Sequence, residues 1–294
     1  MTSQATGYLA KTPLILGMMR LLDHPELHTP KTLAAWIESQ LERGLDVFDH
    51  ADIYGDGECE RLFGKALAAY PGLRDKIRII TKTDIVLAHQ DTSQWQTKHY
   101  RAEAEHVSGA INRALGRLRV EQVDTFLIHR PDPLMEAEPV ARALEDAVSA
   151  GKIRHIGVSN FRPEQWRWLQ KNTDLPLACN QTELSLAHAE PLFDGTHEAQ
   201  LSDRLRWLAW SPLGGGKLAG HLPGNLLATA RAQTGLSETA LAMAWIHQIP
   251  GKPIPVLGSM NEERIRAALE GCRSELPRPL WFALLEAVRG RRVP

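Results

Sequence analysis

The sequence predicts a single (β/α)8 TIM barrel with an additional C-terminal helix, one domain over residues 1–294. Three observations point there. Short β-branched or apolar runs alternate with amphipathic segments eight times along the chain, the order that a parallel sheet wrapped by helices produces. Six of the eight runs close on a polar residue, namely Asp49, Lys82, His129, Ser159, Gln181 and Ser211. In such a barrel those ends share the C-terminal rim, where chemistry is done. The length of 294 residues suits a fold that needs about 250, and no Pro/Gly/Ser-rich linker or shift of composition divides it.

Taken in order, the apolar run 13–17 is paired with an amphipathic helix over 30–43, and 45–49 with 58–69. The alternating segment 77–82 precedes a helix expected over 98–118, and 123–129 precedes 136–150. In the second half, 153–159 is followed by 163–171, and 178–181 by 198–203. The run 207–211 is followed by two helices, 224–235 and 238–248, and 254–258 by 262–270. A last helix, 281–290, stands outside the eightfold repeat.

Composition narrows the function. The chain is 43% hydrophobic and 23% charged, with 34 Lys+Arg against 35 Asp+Glu, so it has neither the basic footprint of a nucleic-acid partner nor a charged tail. Three scattered cysteines, Cys59, Cys179 and Cys272, argue against a disulfide framework or structural zinc and favour a reducing cytoplasm. Cys59 and Cys179 read as buried small hydrophobes rather than nucleophiles. The N-terminus has no signal-peptide pattern, and no apolar stretch approaches the roughly 18–20 residues that span a bilayer.

Several motifs fail on inspection. The Gly-Lys pairs at 64–65, 151–152, 216–217 and 251–252 are followed by Ala, Ile, Leu and Pro, so none is a P-loop. Gly214, Gly216 and Ala219 satisfy a relaxed dinucleotide fingerprint, but after the seventh strand instead of in the first βαβ unit. None of the four tyrosines has a lysine four residues on, and Asn180-Gln181-Thr182 fits a glycosylation sequon only by chance.

The segment Val47-Phe48-Asp49-His50-Ala51-Asp52-Ile53-Tyr54-Gly55 leaves a strand with an aspartate and carries a tyrosine on the following loop. Ile80-Thr81-Lys82-Thr83 and Leu127-Ile128-His129-Arg130-Pro131-Asp132 end two further strands with a lysine and a histidine. With Gly157-Val158-Ser159-Asn160-Phe161 and Trp210-Ser211-Pro212-Leu213, these strings resemble the aldo-keto reductase superfamily over nearly the whole chain, closest to an uncharacterised bacterial branch. The resemblance implies a catalytic tetrad of Asp49, Tyr54, Lys82 and His129. It implies that Ser159, Asn160 and Gln181 hold the carboxamide end of a nicotinamide, and that Trp210, beside Ser211 and Leu213, stacks under the ring in place of the usual tyrosine. Gly215 and Lys217, in the Gly214-Gly215-Gly216-Lys217 turn, would approach a pyrophosphate. Gly258, Ser259 and Arg264 open a helix that can hold the adenosine 2′-phosphate. The cofactor implied is NADPH (NADP+). Gly258 stands where a lysine is usual and Ala267-Ala268 where a Glu-Asn pair holds the adenine, so NADH use stays open.

The chemistry explains the grouping. Hydride reduction of a carbonyl leaves an alkoxide that needs a proton, and a free tyrosine, pKa ~10, is a poor donor at neutral pH. Lys82 beside Tyr54 is expected to lower that pKa, Asp49 to pair the buried ammonium, and a neutral His129 to orient the carbonyl. The hydride must come from a cofactor. The implied partner is a small carbonyl compound. Met19 where tryptophan is frequent, and a short tail to Pro294, imply an open pocket; His89 and Trp95 in the polar loop 86–97 either cover it or form a surface insertion. Two other readings remain: a non-catalytic NADPH-binding regulatory subunit, which the intact tetrad argues against, and a metal-dependent barrel hydrolase built on His50, Asp52 and His129, weaker because its remaining ligands have no evident source; no metal is expected.

Overall fold

A computed structural model describes residues 9–216, 218 and 222–293. In chain order its strands are β1 (Ile15–Gly17), β2 (Val47–Asp49), β3 (Arg78–Thr83), β4 (Ile85–Val86), β5 (His99–Tyr100), β6 (Val123–Ile128), β7 (Ile153–Ser159), β8 (Leu177–Glu183), β9 (Arg206–Trp210) and β10 (Ile254–Leu257). The helices are α1 (Pro30–Glu42), α2 (Glu58–Ala69), α3 (Ala104–Leu118), α4 (Ala137–Ser149), α5 (Pro163–Gln170), α6 (Thr196–Ser202), α7 (Gly224–Thr234), α8 (Glu238–His247), α9 (Glu262–Cys272) and α10 (Arg278–Arg289). Eight strands close a barrel in the order β1-β10-β9-β8-β7-β6-β3-β2, while β4 and β5 form a separate antiparallel hairpin. The expected (β/α)8 barrel with an added C-terminal helix is the fold observed.

The chain divides into two compact units, Gly17–Asn180 and Leu9–Leu16 with the chain from Gln181 onward. In the first, β2, β3, β6 and β7 pair in parallel, with Lys82 opposite Leu127 and Thr83 opposite Ile128. β6 is buried at every position, as expected of a parallel strand covered on both faces. α4 shows the matching helical pattern, burying Val140, Ala141, Leu144 and Ala147 at helical spacing. Gly157 on β7 has no room for a side chain: a Cβ there would lie 2.7 Å from Leu127 Cδ2 and 2.9 Å from the Cys179 carbonyl oxygen.

In the second unit β1 pairs with β10, and β10 with β9, in parallel; Val256 lies opposite Ile15 on one side and Trp210 on the other. α8 is buried from Ala240 to Ile246 because neighbours cover it all round. The α10 helix docks there through Trp281, whose Nε1 donates to the Trp245 carbonyl at 2.9 Å while the two indoles stack 4.9 Å apart.

Two expectations need correction. The helix expected from residue 98 begins at Ala104, because His99–Tyr100 pairs with Ile85–Val86, Arg101 N donates to the Asp84 carbonyl (2.7 Å) and Ala102 N to Asp132 Oδ2 (3.0 Å). These partners are 13 to 30 residues away and outbid local helical bonding. Strand ends also move: Thr83, not Lys82, closes β3, His129 and Ser211 lie one residue beyond β6 and β9, and Gln181 sits inside β8.

Candidate active site

The first unit assembles three of the four predicted catalytic residues into direct contact. Asp49 ends β2, buried. The chain then turns through Tyr54 into α2 by way of three consecutive left-handed residues, Gly55, Asp56 and Gly57. Lys82 projects from β3 and is fully enclosed; its Nζ donates to Asp49 Oδ1 (2.6 Å), the His50 carbonyl (2.7 Å) and Tyr54 Oη (3.2 Å). An ammonium has three donors and no acceptor, so all three are used and Tyr54 Oη must accept. The phenolic proton is therefore left to point elsewhere.

The electrostatics match that assignment with one change. Burial works to lower the Lys82 pKa, but Asp49 and then Tyr54 outweigh it, and the net shift is upward; the side chain stays an ammonium. Burial raises Tyr54 above the ordinary tyrosine value, Lys82 pulls it down, and Asp49 adds to the rise. Lys82 thus acts in the expected direction, yet in the chain alone burial dominates, so the phenol is a protonated donor held by position. His129 lies far below the ordinary histidine range, first through burial and then through the charge of Lys82, and is neutral. Its Nδ1 is buried with no protein partner among the described residues. Its main chain is clamped: His129 N donates to the Thr83 carbonyl (2.9 Å), and its carbonyl accepts from Asn160 Nδ2 (3.1 Å).

Asn160 follows Ser159, the last residue of β7, and adopts a left-handed backbone (φ 62°), with Nδ2 also 2.9 Å from Ser159 Oγ. In the second unit Gln181 is buried. Trp210 ends β9, and Ser211 turns left-handed (φ 51°). Gly214, Gly215 and Gly216 all have positive φ, and the Leu213 carbonyl gathers Gly216 N (3.1 Å) and Leu218 N (3.3 Å). A Cβ at Gly215, Gly216 or Gly258 would meet nothing within 4 Å, so backbone there is open to close approach. That is the property a pyrophosphate cradle needs. Lys217 lies outside the described residues. Ser259 Oγ accepts from Asn261 N (3.3 Å), and Asn261 caps α9 by accepting from Arg264 N (3.0 Å). Glu262 and Glu263 occupy the first turn of α9, where they share the helix dipole with any anion.

Sequence reasoning missed the groups behind β3. Thr81 Oγ1 donates to Glu60 Oε1 (2.7 Å) and Thr83 Oγ1 to Asp52 Oδ2 (2.5 Å); Glu60 also pairs with Arg117 (3.2 Å). Both carboxylates pin the strand on the face opposite Lys82. The signal was present in Thr81-Lys82-Thr83, since period-two alternation sends two threonines outward when the lysine points in. Burial pushes Asp52 up to about 6, with the Thr83 bond opposing. His50, offered as a metal ligand, instead lays its ring edge-on to Phe63, 4.7 Å away. No group of three or more His, Cys, Asp or Glu among the described residues is placed to hold a metal ion. The loop 86–97 is fastened to the tyrosine turn, with His89 Nε2 and Gln90 Nε2 at 2.9 and 2.6 Å from Asp56 Oδ1, whereas Trp95 is 75% exposed. Cys59, Cys179 and Cys272 are buried and free; burial pushes the Cys59 thiol to about 11 and the Cys179 thiol to about 12.

Known proteins resemble this chain along nearly its whole length. The family model described as aldo/keto reductase family matches residues 13–281. A protein of Agrobacterium fabrum named 6-dehydroglucose reductase is 39% identical over 283 residues, covering 95% of this chain and 95% of its own. Oxidoreductase YdhF of Escherichia coli is 37% identical, covering 95% of this chain and 94% of its own. Among solved structures, an aldo-keto reductase from Klebsiella pneumoniae in complex with NADPH superposes with TM-score 0.78 at 24% identity, over 96% of this chain and 92% of that one.

Proposed function

This chain belongs to the aldo/keto reductase family, and from that premise we propose that it reduces the carbonyl group of a small aldehyde or ketone to an alcohol with NADPH. The observation that carries the reading is the saturated Lys82 ammonium, which holds Tyr54 Oη as an acceptor and leaves its proton free to be given. Tyr54 donates that proton to the carbonyl oxygen as charge builds there, and the neutral His129 ring orients the same oxygen. Lys82 stabilises the phenolate that remains, and Asp49 keeps Lys82 charged. NADPH, when bound, supplies the hydride.

Ser159, Asn160 and Gln181 would hold the nicotinamide carboxamide, and Trp210, flanked by Ser211 and Leu213, its ring. Gly215 and Lys217 would meet the pyrophosphate. Gly258, Ser259 and Arg264 would meet the 2′-phosphate. Support comes from the open glycine backbone at Gly215 and Gly216 and the free approach at Gly258. The acidic first turn of α9 and the absence of a lysine at 258 favour an NADPH preference modest enough to admit NADH. We take residues 1–294 as one barrel domain working in a reducing, cytoplasmic setting; no helix among the described residues is long and apolar enough to cross a membrane.

The test is Tyr54→Phe, assayed with a panel that includes 6-dehydroglucose, the compound for which the Agrobacterium relative is named, and a nitrobenzaldehyde. Turnover is expected to vanish while quenching of protein fluorescence by NADPH persists. Unchanged turnover overturns the mechanism, and tight NADPH binding by the intact chain without turnover of any carbonyl returns the regulatory-subunit reading. Arg264→Ala is expected to weaken NADPH about tenfold and leave NADH unchanged, since one charge-assisted contact of about 1.5 kcal/mol is lost.

A further inference from the structure

A depression of about 430 Å³ on the first unit is lined by Arg61, Lys65, Arg113, Gly116, Arg117 and Arg119, contributed by α2, α3 and the residue that caps α3. Five cations and no carboxylate line it, on a chain whose net charge is −1. Arg61 is paired with Glu58 (2.6 Å) and Arg117 with buried Glu60 (3.2 Å). Lys65, Arg113 and Arg119 have no ion pair among the described residues, and all three are exposed. A neighbouring basic region provides the contrast. There, in a depression that Arg119 also borders, Arg74 is paired with Asp124 (3.3 Å) and Arg78 with Asp46 (2.6 Å), so the charges of those two are spent on the fold.

The α3 dipole accounts for Arg117 and Arg119, which lie at the helix C-terminus, but not for Arg61, Lys65 or Arg113. Gly116 adds an independent sign. A glycine inside a helix costs about 1 kcal/mol relative to alanine, and nothing here requires it, because a Cβ would meet no atom within 4 Å. Gly64 on α2 differs: its Cβ would lie 2.2 Å from the Arg117 carbonyl oxygen, so packing demands that glycine. What the bare backbone at 116 does is leave that part of the lining of the basic depression without a side chain.

We propose that this depression binds a compact polyanion carrying two adjacent phosphate groups. Three unneutralised cations converge on it, and arginine and lysine complement phosphate oxygens through forked and point-charge contacts respectively. A single phosphate satisfies fewer of them than a diphosphate does. The site is separate from the residues assigned to carbonyl reduction and does not rest on that reading.

Calorimetric titration of inorganic pyrophosphate into the full chain, at an ionic strength of about 50 mM so that exposed charges are screened less than at physiological salt, tests it. One site is expected, of equal affinity with and without saturating NADPH. The Lys65→Gln/Arg113→Gln/Arg119→Gln variant, which touches no ion pair, should weaken it at least tenfold. Gly116→Glu keeps every cation and puts a carboxylate into the lining, and should weaken it as much; it decides the matter if the triple variant does not fold. A parallel titration with adenosine diphosphate, NADPH present, distinguishes the sources: binding through the same residues assigns diphosphate esters, and binding of pyrophosphate alone assigns the inorganic ion. Absence of pyrophosphate binding, heat that disappears once NADPH is present, or affinity unchanged in Gly116→Glu overturns the proposal.

Discussion

His50 stands next to Asp49 and serves the site through its backbone, whose carbonyl takes a hydrogen bond from Lys82 at 2.7 Å. The imidazole is fully buried against Phe63, and neither nitrogen has a protein partner among the described residues. Burial first, and Lys82 second, push its pKa to about 3. The unfolded chain therefore takes up a proton near the ordinary value of about 6.5 while the folded chain refuses it until about 3. Across that window the unfolded state binds more protons, so this residue costs stability as pH falls. Replacing it with leucine removes the cost and keeps the carbonyl. The stability of His50→Leu relative to wild type should rise by about 1.4 kcal/mol for each pH unit between pH 6.5 and pH 3, read from urea midpoints at several pH values. A difference that stays flat with pH would mean that the buried ring protonates as readily as a free one. The sequence made His50 a metal candidate because a His-x-Asp string shows which groups are present but not whether the ring or the carbonyl faces the site.

At the scale of the element, β3 couples the outer packing to the position of Lys82. Thr81 and Thr83 flank the lysine and point the other way, where Glu60 and Asp52 hold them. Glu60 is buried and bridges Thr81 to Arg117, so Glu60→Ala strands a hydroxyl and a guanidinium together. Breaking a buried pair by removing one partner costs about 3–5 kcal/mol. Because solvent reaches Arg117, Glu60→Ala should lose less than that, about 1–3 kcal/mol in urea unfolding, whereas Glu60→Gln, which keeps an acceptor for Thr81, should lose less still; equal, small losses in both would show that β3 does not depend on this pin. These elements also mark where the sequence was legible. The strand existed in the pattern because Ile79 and Ile80 are buried and Lys82 ends an alternation, both local signals. The hairpin of Ile85–Val86 with His99–Tyr100 did not, because its competitor, an earlier start to α3, is locally plausible and loses only to Asp84 and Asp132, which arrive from other parts of the chain. For the same reason the tetrad could be named from strand ends, while the net upward shift of Tyr54 could not: it depends on how deeply the phenol is buried.

For the whole molecule, the eightfold alternation was readable because each βα repeat is written locally, and the barrel order follows from it. The division into two compact units was not, since no linker marks it: one boundary falls between Leu16 and Gly17 inside β1, the other between Asn180 and Gln181 inside β8. A boundary that cuts hydrogen-bonded strands differs from the exposed, contact-poor linker at which domains ordinarily separate. One unit also recruits its first strand from the opposite end of the sequence, with Ile15 opposite Val256, so its sheet is incomplete until both ends of the chain are in place. If residues 1–294 are one domain, neither unit can melt while the other keeps its sheet. Scanning calorimetry should then show one transition whose calorimetric and van't Hoff enthalpies agree, about 200 kcal/mol near 60 °C from ~0.7 kcal/mol per residue. Two resolved transitions, or a van't Hoff enthalpy near half the calorimetric one, would instead make the units separate domains and require the strand boundaries within β1 and β8 to open independently.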